Sequence, residues 1–143
     1  MTTTAIFWPV IAQVALTFVV TIRMYRVRIA EIRANRISPQ SIANSRQAAE
    51  KLQDINASDN FRNLLELPVL FFAICPILYM TGNVTTLQLS LAWIFVALRC
   101  THSFIHVTYN RVRHRFRAFF ASMICVFAMW AVFAVRLARE LTN

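Results

Sequence analysis

Four long apolar stretches run along the chain, at residues 4–22, 64–80, 84–98 and 119–135. A helix that crosses a membrane needs about 17–25 residues. The first, second and fourth stretches are long enough on their own. The third is long enough only if Arg99 and His102 lie inside its helix. The pattern therefore predicts four membrane-spanning helices, with polar side chains inside the third.

The segments between the apolar stretches predict where these helices end. Residues 22–37 mix apolar residues and arginines at helical spacing, so we expect the first helix to continue up to Ser38-Pro39, where proline disfavours a helix. Residues 43–56 predict a short polar helix, followed by a turn near Ser58. We expect one domain over residues 1–143, an all-α up-and-down bundle with spans at about residues 4–34, 58–80, 84–110 and 115–139.

Composition and charge favour a membrane protein with a defined orientation. The chain is 58% hydrophobic and 15% charged, which excludes a disordered chain and is too apolar for an ordinary soluble domain. The formal charge is +9, and the arginines flank the spans without the pattern of a nucleic-acid-binding domain. Because basic segments stay in the cytoplasm, both termini are expected outside, and the arginines are expected to meet anionic lipid head groups.

Two charged residues, Glu66 and Arg99, fall within the predicted spans. They are equally far along the chain from the turn at Gly82-Asn83, so they are expected at the same depth in the membrane. Positions 99, 102 and 106 fall on one stripe of the third helix. The sequence therefore predicts a polar layer near the inner membrane face, made of Asn63, Glu66, Arg99, His102 and His106.

This polar layer has more than one interpretation. Glu66 and Arg99 can form a buried ion pair that sets the helix register. Alternatively, the layer can bind a zwitterionic or anionic ligand, with arginine holding a carboxylate and glutamate an ammonium. His102 and His106 have the spacing of two metal or haem ligands on one helix, but no third ligand is evident. We therefore assign no metal site, and a haem or quinone protein remains a further hypothesis.

The chain resembles the MAPEG family, the membrane-associated proteins in eicosanoid and glutathione metabolism. The resemblance rests on the segment from Asn63 through Glu66 to Pro68, and on the run from Arg99 to His106. The chain length, the four spans and the long basic inner loop agree with it. It implies a homotrimer with binding sites at subunit interfaces that open to the cytosol and to the bilayer.

The resemblance also implies a ligand and the residues that meet it. Glutathione would be the co-substrate, with Glu66 near its amino group and Arg99 holding a carboxylate or the structure around it. An arginine would stabilise the thiolate, because a nearby guanidinium lowers the pKa of a thiol. The implied binding positions are Asn63, Glu66, Arg99, His102 and His106, and the implied catalytic arginine is Arg113 or Arg115.

By this resemblance the protein would be a glutathione-dependent transferase or peroxidase that acts on lipophilic small molecules in a bacterial inner membrane. The alternative is a non-catalytic lipid-binding or scaffolding membrane protein of the same fold. The chain departs from relatives at Asp59, where an arginine is common, and at its two histidines, which replace tyrosines. On a continuous helix, Arg113 would lie about 21 Å from Arg99. Both can serve one small ligand only if the chain turns back near Asn110 or if another subunit supplies the arginine.

Overall fold

The computed structural model describes residues 3–52 and 56–142, which form helices, turns and no strand. A 3-10 turn at Thr3–Ile6 leads into the first helix, and a second 3-10 turn at Pro39–Ile42 precedes the second helix. The helices are α1 (Phe7–Ala34), α2 (Ser45–Lys51), α3 (Asn56–Glu66), α4 (Pro68–Met80), α5 (Thr86–Val107) and α6 (Val112–Thr142).

Four helical segments are long and apolar enough to cross a membrane: Thr3–Ala34, Ser58–Met80, Thr86–Val107 and Val112–Thr142. The predicted all-α architecture with four membrane helices is therefore confirmed, whereas the trimer stays a prediction. We call the end of the bundle that carries residues 23–52, 56–62 and 108–117 the basic end. At this end the Arg23 guanidinium of α1 donates a hydrogen bond to the Val107 carbonyl oxygen at the end of α5 (3.2 Å).

The second span is broken into two helices, which the sequence analysis did not predict. α3 ends at Glu66, Leu67 forms a turn, and α4 begins at Pro68. Proline has no N–H to donate, and its ring clashes with the carbonyl four residues earlier, so the regular ladder cannot continue through this point. The turn expected near Ser58 is not found there, because that residue lies within α3.

The chain reverses direction between α5 and α6. Asn110 adopts a left-handed backbone conformation (φ 46°), which asparagine tolerates better than most residues, and its N–H donates to the Ile105 carbonyl (2.8 Å). α6 then packs antiparallel against α5, and the two form the most extensive helix pair of the bundle. Near the opposite end of this pair, the Gln88 side-chain amide donates to the Met129 carbonyl (3.0 Å).

The apolar core lies between α4, α5 and α6 and is joined by residues of α1. Phe71 of α4 and Phe95 of α5 are fully buried and stacked, with ring centroids 4.5 Å apart. The Trp130 indole N–H of α6 donates to the Leu70 carbonyl of α4 (3.2 Å). This core fixes the relative heights of α4, α5 and α6, and the last two supply most of the polar residues of the site.

Gln13 of α1 is buried within this apolar bundle. Its side chain has 0% exposure, and neither its Oε1 nor its Nε2 atom has a hydrogen-bond partner among the described residues. A buried amide without a partner costs free energy, because it gives up its bonds to water and gains nothing in return.

We therefore predict that Gln13→Leu raises the free energy of unfolding by about 1 kcal/mol. Gln13→Asn is the matched control, because it keeps an amide while removing packing volume, and it should lower stability. Denaturant titration of the purified protein in detergent micelles, followed by circular dichroism, measures both changes. A loss of stability in Gln13→Leu would mean that the amide has a polar partner.

Candidate functional site

Arg99 of α5 is buried at the basic end of the bundle with few partners. It has 0% exposure, and its Nη2 atom donates to the main-chain oxygen of Asn63 in α3 (2.7 Å). Its guanidinium also lies over the ring of Phe119 in α6, 5.6 Å from the ring centre. Within the part of the chain that the structure describes, the Nε and Nη1 atoms have no hydrogen-bond partner. A cationic side chain is thus held inside the bundle with only part of its hydrogen-bonding capacity used.

Glu66 does not form an ion pair with Arg99. Its side chain is exposed, and no ion pair joins it to Arg99 in the part of the chain that the structure describes. The carboxylate is still near enough to act electrostatically on the guanidinium. The two groups therefore influence each other at a distance, and neither satisfies the other's hydrogen bonds.

A second polar contact links α3 to α5 one turn further toward the basic end. The Ser103 hydroxyl donates to the Asn60 side-chain oxygen (3.1 Å), and both residues are buried. The Asn63 side-chain amide donates to the Asp59 carbonyl within α3 (2.9 Å). The sequence analysis did not include Asn60 among the site residues, although its position three residues before Asn63 puts both on one helix face.

Arg115 connects the two histidines of α5 to the turn that follows. Its Nη1 atom lies 3.1 Å from the His106 Nε2 atom and donates to the Asn110 side-chain oxygen (2.9 Å). A guanidinium can only donate, so the Nε2 atom of His106 must accept. The His102 Nδ1 atom lies 3.1 Å from the Arg115 carbonyl oxygen, which can only accept, so that nitrogen carries a proton. In its neutral form, each of the two histidines therefore carries its proton on Nδ1.

Asn63, His102 and Arg115 border a cavity of about 210 Å³ between α3, α5 and α6, which we call the inner pocket. Three of its side chains are polar and three are apolar, a combination typical of small-molecule sites. Its lining residues are Asn63, His102, Val112, Arg115, Phe116 and Phe119. Arg99 lies behind this lining, because it contacts both Asn63 and Phe119.

A model of the MAPEG family matches residues 6–135, which is nearly the whole chain. The chain belongs to the MAPEG family. It is therefore an integral membrane protein of a family associated with glutathione-related transferase and peroxidase chemistry, whose members are generally trimeric. No curated protein and no solved structure matches the chain significantly.

In this MAPEG chain the structure gathers most of the sequence-predicted site residues, and leaves two apart. Glu66 and Arg113 are exposed and do not line the inner pocket. Within residues 3–52 and 56–142, no group of three or more histidine, cysteine, aspartate or glutamate side chains is arranged to hold a metal ion. The residues brought together are Asn63, Arg99, His102, His106 and Arg115.

We predict that Arg115→Gln loosens the turn between α5 and α6, because it removes the hydrogen bonds to His106 and Asn110. Hydrogen–deuterium exchange should become about tenfold faster over residues 106–112, which corresponds to the loss of roughly one or two hydrogen bonds. Arg113→Gln is the control, since that side chain is exposed, and exchange should stay at the wild-type rate. Equal protection in both variants would show that the Arg115 contacts do not hold the turn.

Proposed function

We propose that the inner pocket binds glutathione and that the protein joins its thiolate to lipophilic electrophiles or uses it to reduce lipid peroxides. The observation that carries this proposal is the composition of the pocket. A guanidinium, an amide and an imidazole from Arg115, Asn63 and His102 meet an aromatic wall of Phe116 and Phe119. Polar groups suit a charged peptide, and the wall suits an apolar co-substrate.

The charge around the pocket supports an anionic ligand. Arg115 lines the pocket and Arg99 lies directly behind it, buried and without an ion pair among the described residues. Two guanidinium groups in an environment of low dielectric constant create a strong positive potential. Glutathione carries two carboxylates and one ammonium at neutral pH, so its net charge is complementary.

Arg115 is the better candidate for the thiolate-stabilising residue. Its Nη1 atom is engaged with His106 and Asn110, which fixes the guanidinium at the pocket wall. Arg113 is exposed and does not line the pocket. A fixed cation stabilises a thiolate better than a mobile one, because the ordering cost is already met by the fold.

The size of the pocket supports a site shared between subunits. A cavity of about 210 Å³ is small for a whole ligand site, since such sites usually measure about 300–1,000 Å³. We propose that a neighbouring chain of a homotrimer completes it. In that arrangement the exposed Glu66, three residues after Asn63, meets the ammonium of glutathione, and the basic end faces the cytosol.

Two reactions fit this arrangement: conjugation of glutathione to an electrophile, and reduction of a hydroperoxide by glutathione. In conjugation, the thiol proton leaves to solvent, a sulfur–carbon bond forms at the electrophile, and the leaving group departs with its electron pair. In peroxide reduction, two glutathione molecules are oxidised to the disulfide while one hydroperoxide is reduced to an alcohol and water. In each case the chain supplies the cation that favours the thiolate and the apolar wall that holds the lipophilic partner.

We predict that adding glutathione to the purified protein produces the ultraviolet absorbance of a thiolate. Arg115→Gln should lower both this signal and kcat/KM for a reactive electrophile by about 10- to 100-fold, the cost of losing a charge-assisted contact. Arg113→Gln should retain nearly full activity. The reverse order would assign the thiolate to Arg113. Absence of both thiolate signal and glutathione binding in the wild-type protein would remove the enzyme hypothesis and favour the non-catalytic lipid-binding protein.

We also predict that Glu66→Gln weakens glutathione binding by up to about fivefold, the range expected for an exposed charge pair. The oligomer should persist, because the carboxylate makes no ion pair with Arg99. Isothermal titration calorimetry measures the affinity, and size-exclusion chromatography with light scattering measures the oligomer. Loss of the oligomer would give Glu66 a structural role instead.

A further inference from the structure

A second cavity, of about 370 Å³, lies between α5 and α6 and shares no lining residue with the inner pocket. We call it the outer groove. Its residues come from α5, from the turn and from the start of α6, and they include Leu98, Thr101, Ile105, Tyr109, His114 and Arg117. None of these residues has a part in the proposed glutathione site.

The groove is mainly apolar along α5 and basic along α6. Leu98, Thr101 and Ile105 lie on one face of α5, and the Thr101 hydroxyl is already bonded to the Ala97 carbonyl (2.9 Å). Of the residues that the structure describes, no aspartate or glutamate lines the groove. Its contents therefore meet methyl and methylene groups on one side and positive charge on the other.

The α6 side of the groove and the turn before it supply hydrogen-bond donors. The Tyr109 hydroxyl lies 3.2 Å from the His114 Nδ1 atom. In the tautomer in which the hydroxyl donates to Nδ1, the His114 Nε2 atom carries the proton and becomes a donor. Arg117 lies one turn along α6, and side chains on a helix lean toward its N-terminus, so this guanidinium leans toward His114.

The groove crosses the boundary between the apolar and the polar part of the membrane. Leu98 is the last residue of the charge-free stretch of α5, and Arg117 is the last charge before the uncharged residues 118–135 of α6. A lipid head group occupies this depth in a bilayer, with its acyl chains on the apolar side. The polarity and the depth of the groove are therefore both those of a phospholipid.

We propose that the outer groove binds the phosphate head group of an anionic phospholipid from the leaflet at the basic end. Arg117 and His114 donate to the phosphate, and the first carbons of an acyl chain lie along Leu98 and Ala118, which line the groove on its membrane-interior side. Basic pockets between membrane helices recognise such head groups. The proposal is independent of glutathione, since it uses neither the residues nor the chemistry of the inner pocket.

The experiment is native mass spectrometry of the protein after exchange into bilayers of equal parts phosphatidylglycerol and phosphatidylcholine with matched acyl chains. Wild-type protein should retain phosphatidylglycerol over phosphatidylcholine. Arg117→Gln should lower this preference about fivefold, the effect expected for one basic residue near anionic lipid. Arg117→Lys should keep most of it. Arg111→Gln is the matched control, because Arg111 is an exposed arginine of the same segment that does not line the groove, and it should behave as wild type.

Thr101→Trp tests the groove itself, because it fills the cavity and changes no charge. It should lower phosphatidylglycerol retention at least as much as Arg117→Gln. Wild-type retention in Thr101→Trp would overturn the proposal, as would equal losses in Arg111→Gln and Arg117→Gln, which indicate diffuse surface attraction. A change of oligomeric state in Thr101→Trp would also overturn it, because the groove would then be a contact between copies of the chain.

Discussion

The antiparallel packing of α6 on α5 is the constraint on which the rest of the polar architecture depends. The pair is tied by Gln88 to the Met129 carbonyl near one end and by His102 to the Arg115 carbonyl near the other. On a continuous helix Arg115 would lie about 24 Å from Arg99. The reversal at Asn110 brings it instead against the two histidines of α5. The arginine then stabilises the turn that positions it, so the turn and the pocket wall form together.

The buried guanidinium of Arg99 helps to hold α3, α5 and α6 in a fixed arrangement near the basic end. A buried charge inside a membrane bundle is costly, and removing its partners would cost more than the pairing stabilises. The guanidinium has one hydrogen bond to the Asn63 carbonyl, contact with the Phe119 face and the field of an exposed carboxylate. Asn63 lies one turn before the break at Leu67, where Pro68 disturbs the helical ladder. The break and the buried cation therefore belong to one local arrangement of α3, α4 and α5.

The sequence was sufficient for the spans and for the polar stripe of α5, because a period of 3.6 residues determines which side chains share a helix face. It also predicted one polar layer that includes Asn63 and Arg99, since both helices rise equally from one short turn, and a hydrogen bond joins these two residues in the structure. The rotation of Glu66 away from the bundle could not be predicted in the same way. In a membrane, apolar side chains cover both the protein-facing and the lipid-facing surfaces of a helix, so hydropathy does not distinguish the two. The sequence left two ways for the catalytic arginine to reach the polar layer, a reversal near Asn110 or supply from another subunit. It did not decide between them, because a left-handed asparagine leaves a weaker signal in sequence than a glycine does.

Side chains in the first two turns of α6 line either the inner pocket or the outer groove. Positions 112, 115, 116 and 119 face the inner pocket, whereas 114, 117 and 118 face the outer groove. This separation follows from helical periodicity, since each set recurs every three or four residues and the two sets are offset by one or two. The run of arginines at 111, 113, 115 and 117 therefore does not act as a single charged surface. Arg115 contributes to a polar pocket, Arg117 to a groove at the membrane boundary, and Arg113 to neither. A single basic segment thus lines two separate cavities on different sides of one helix pair.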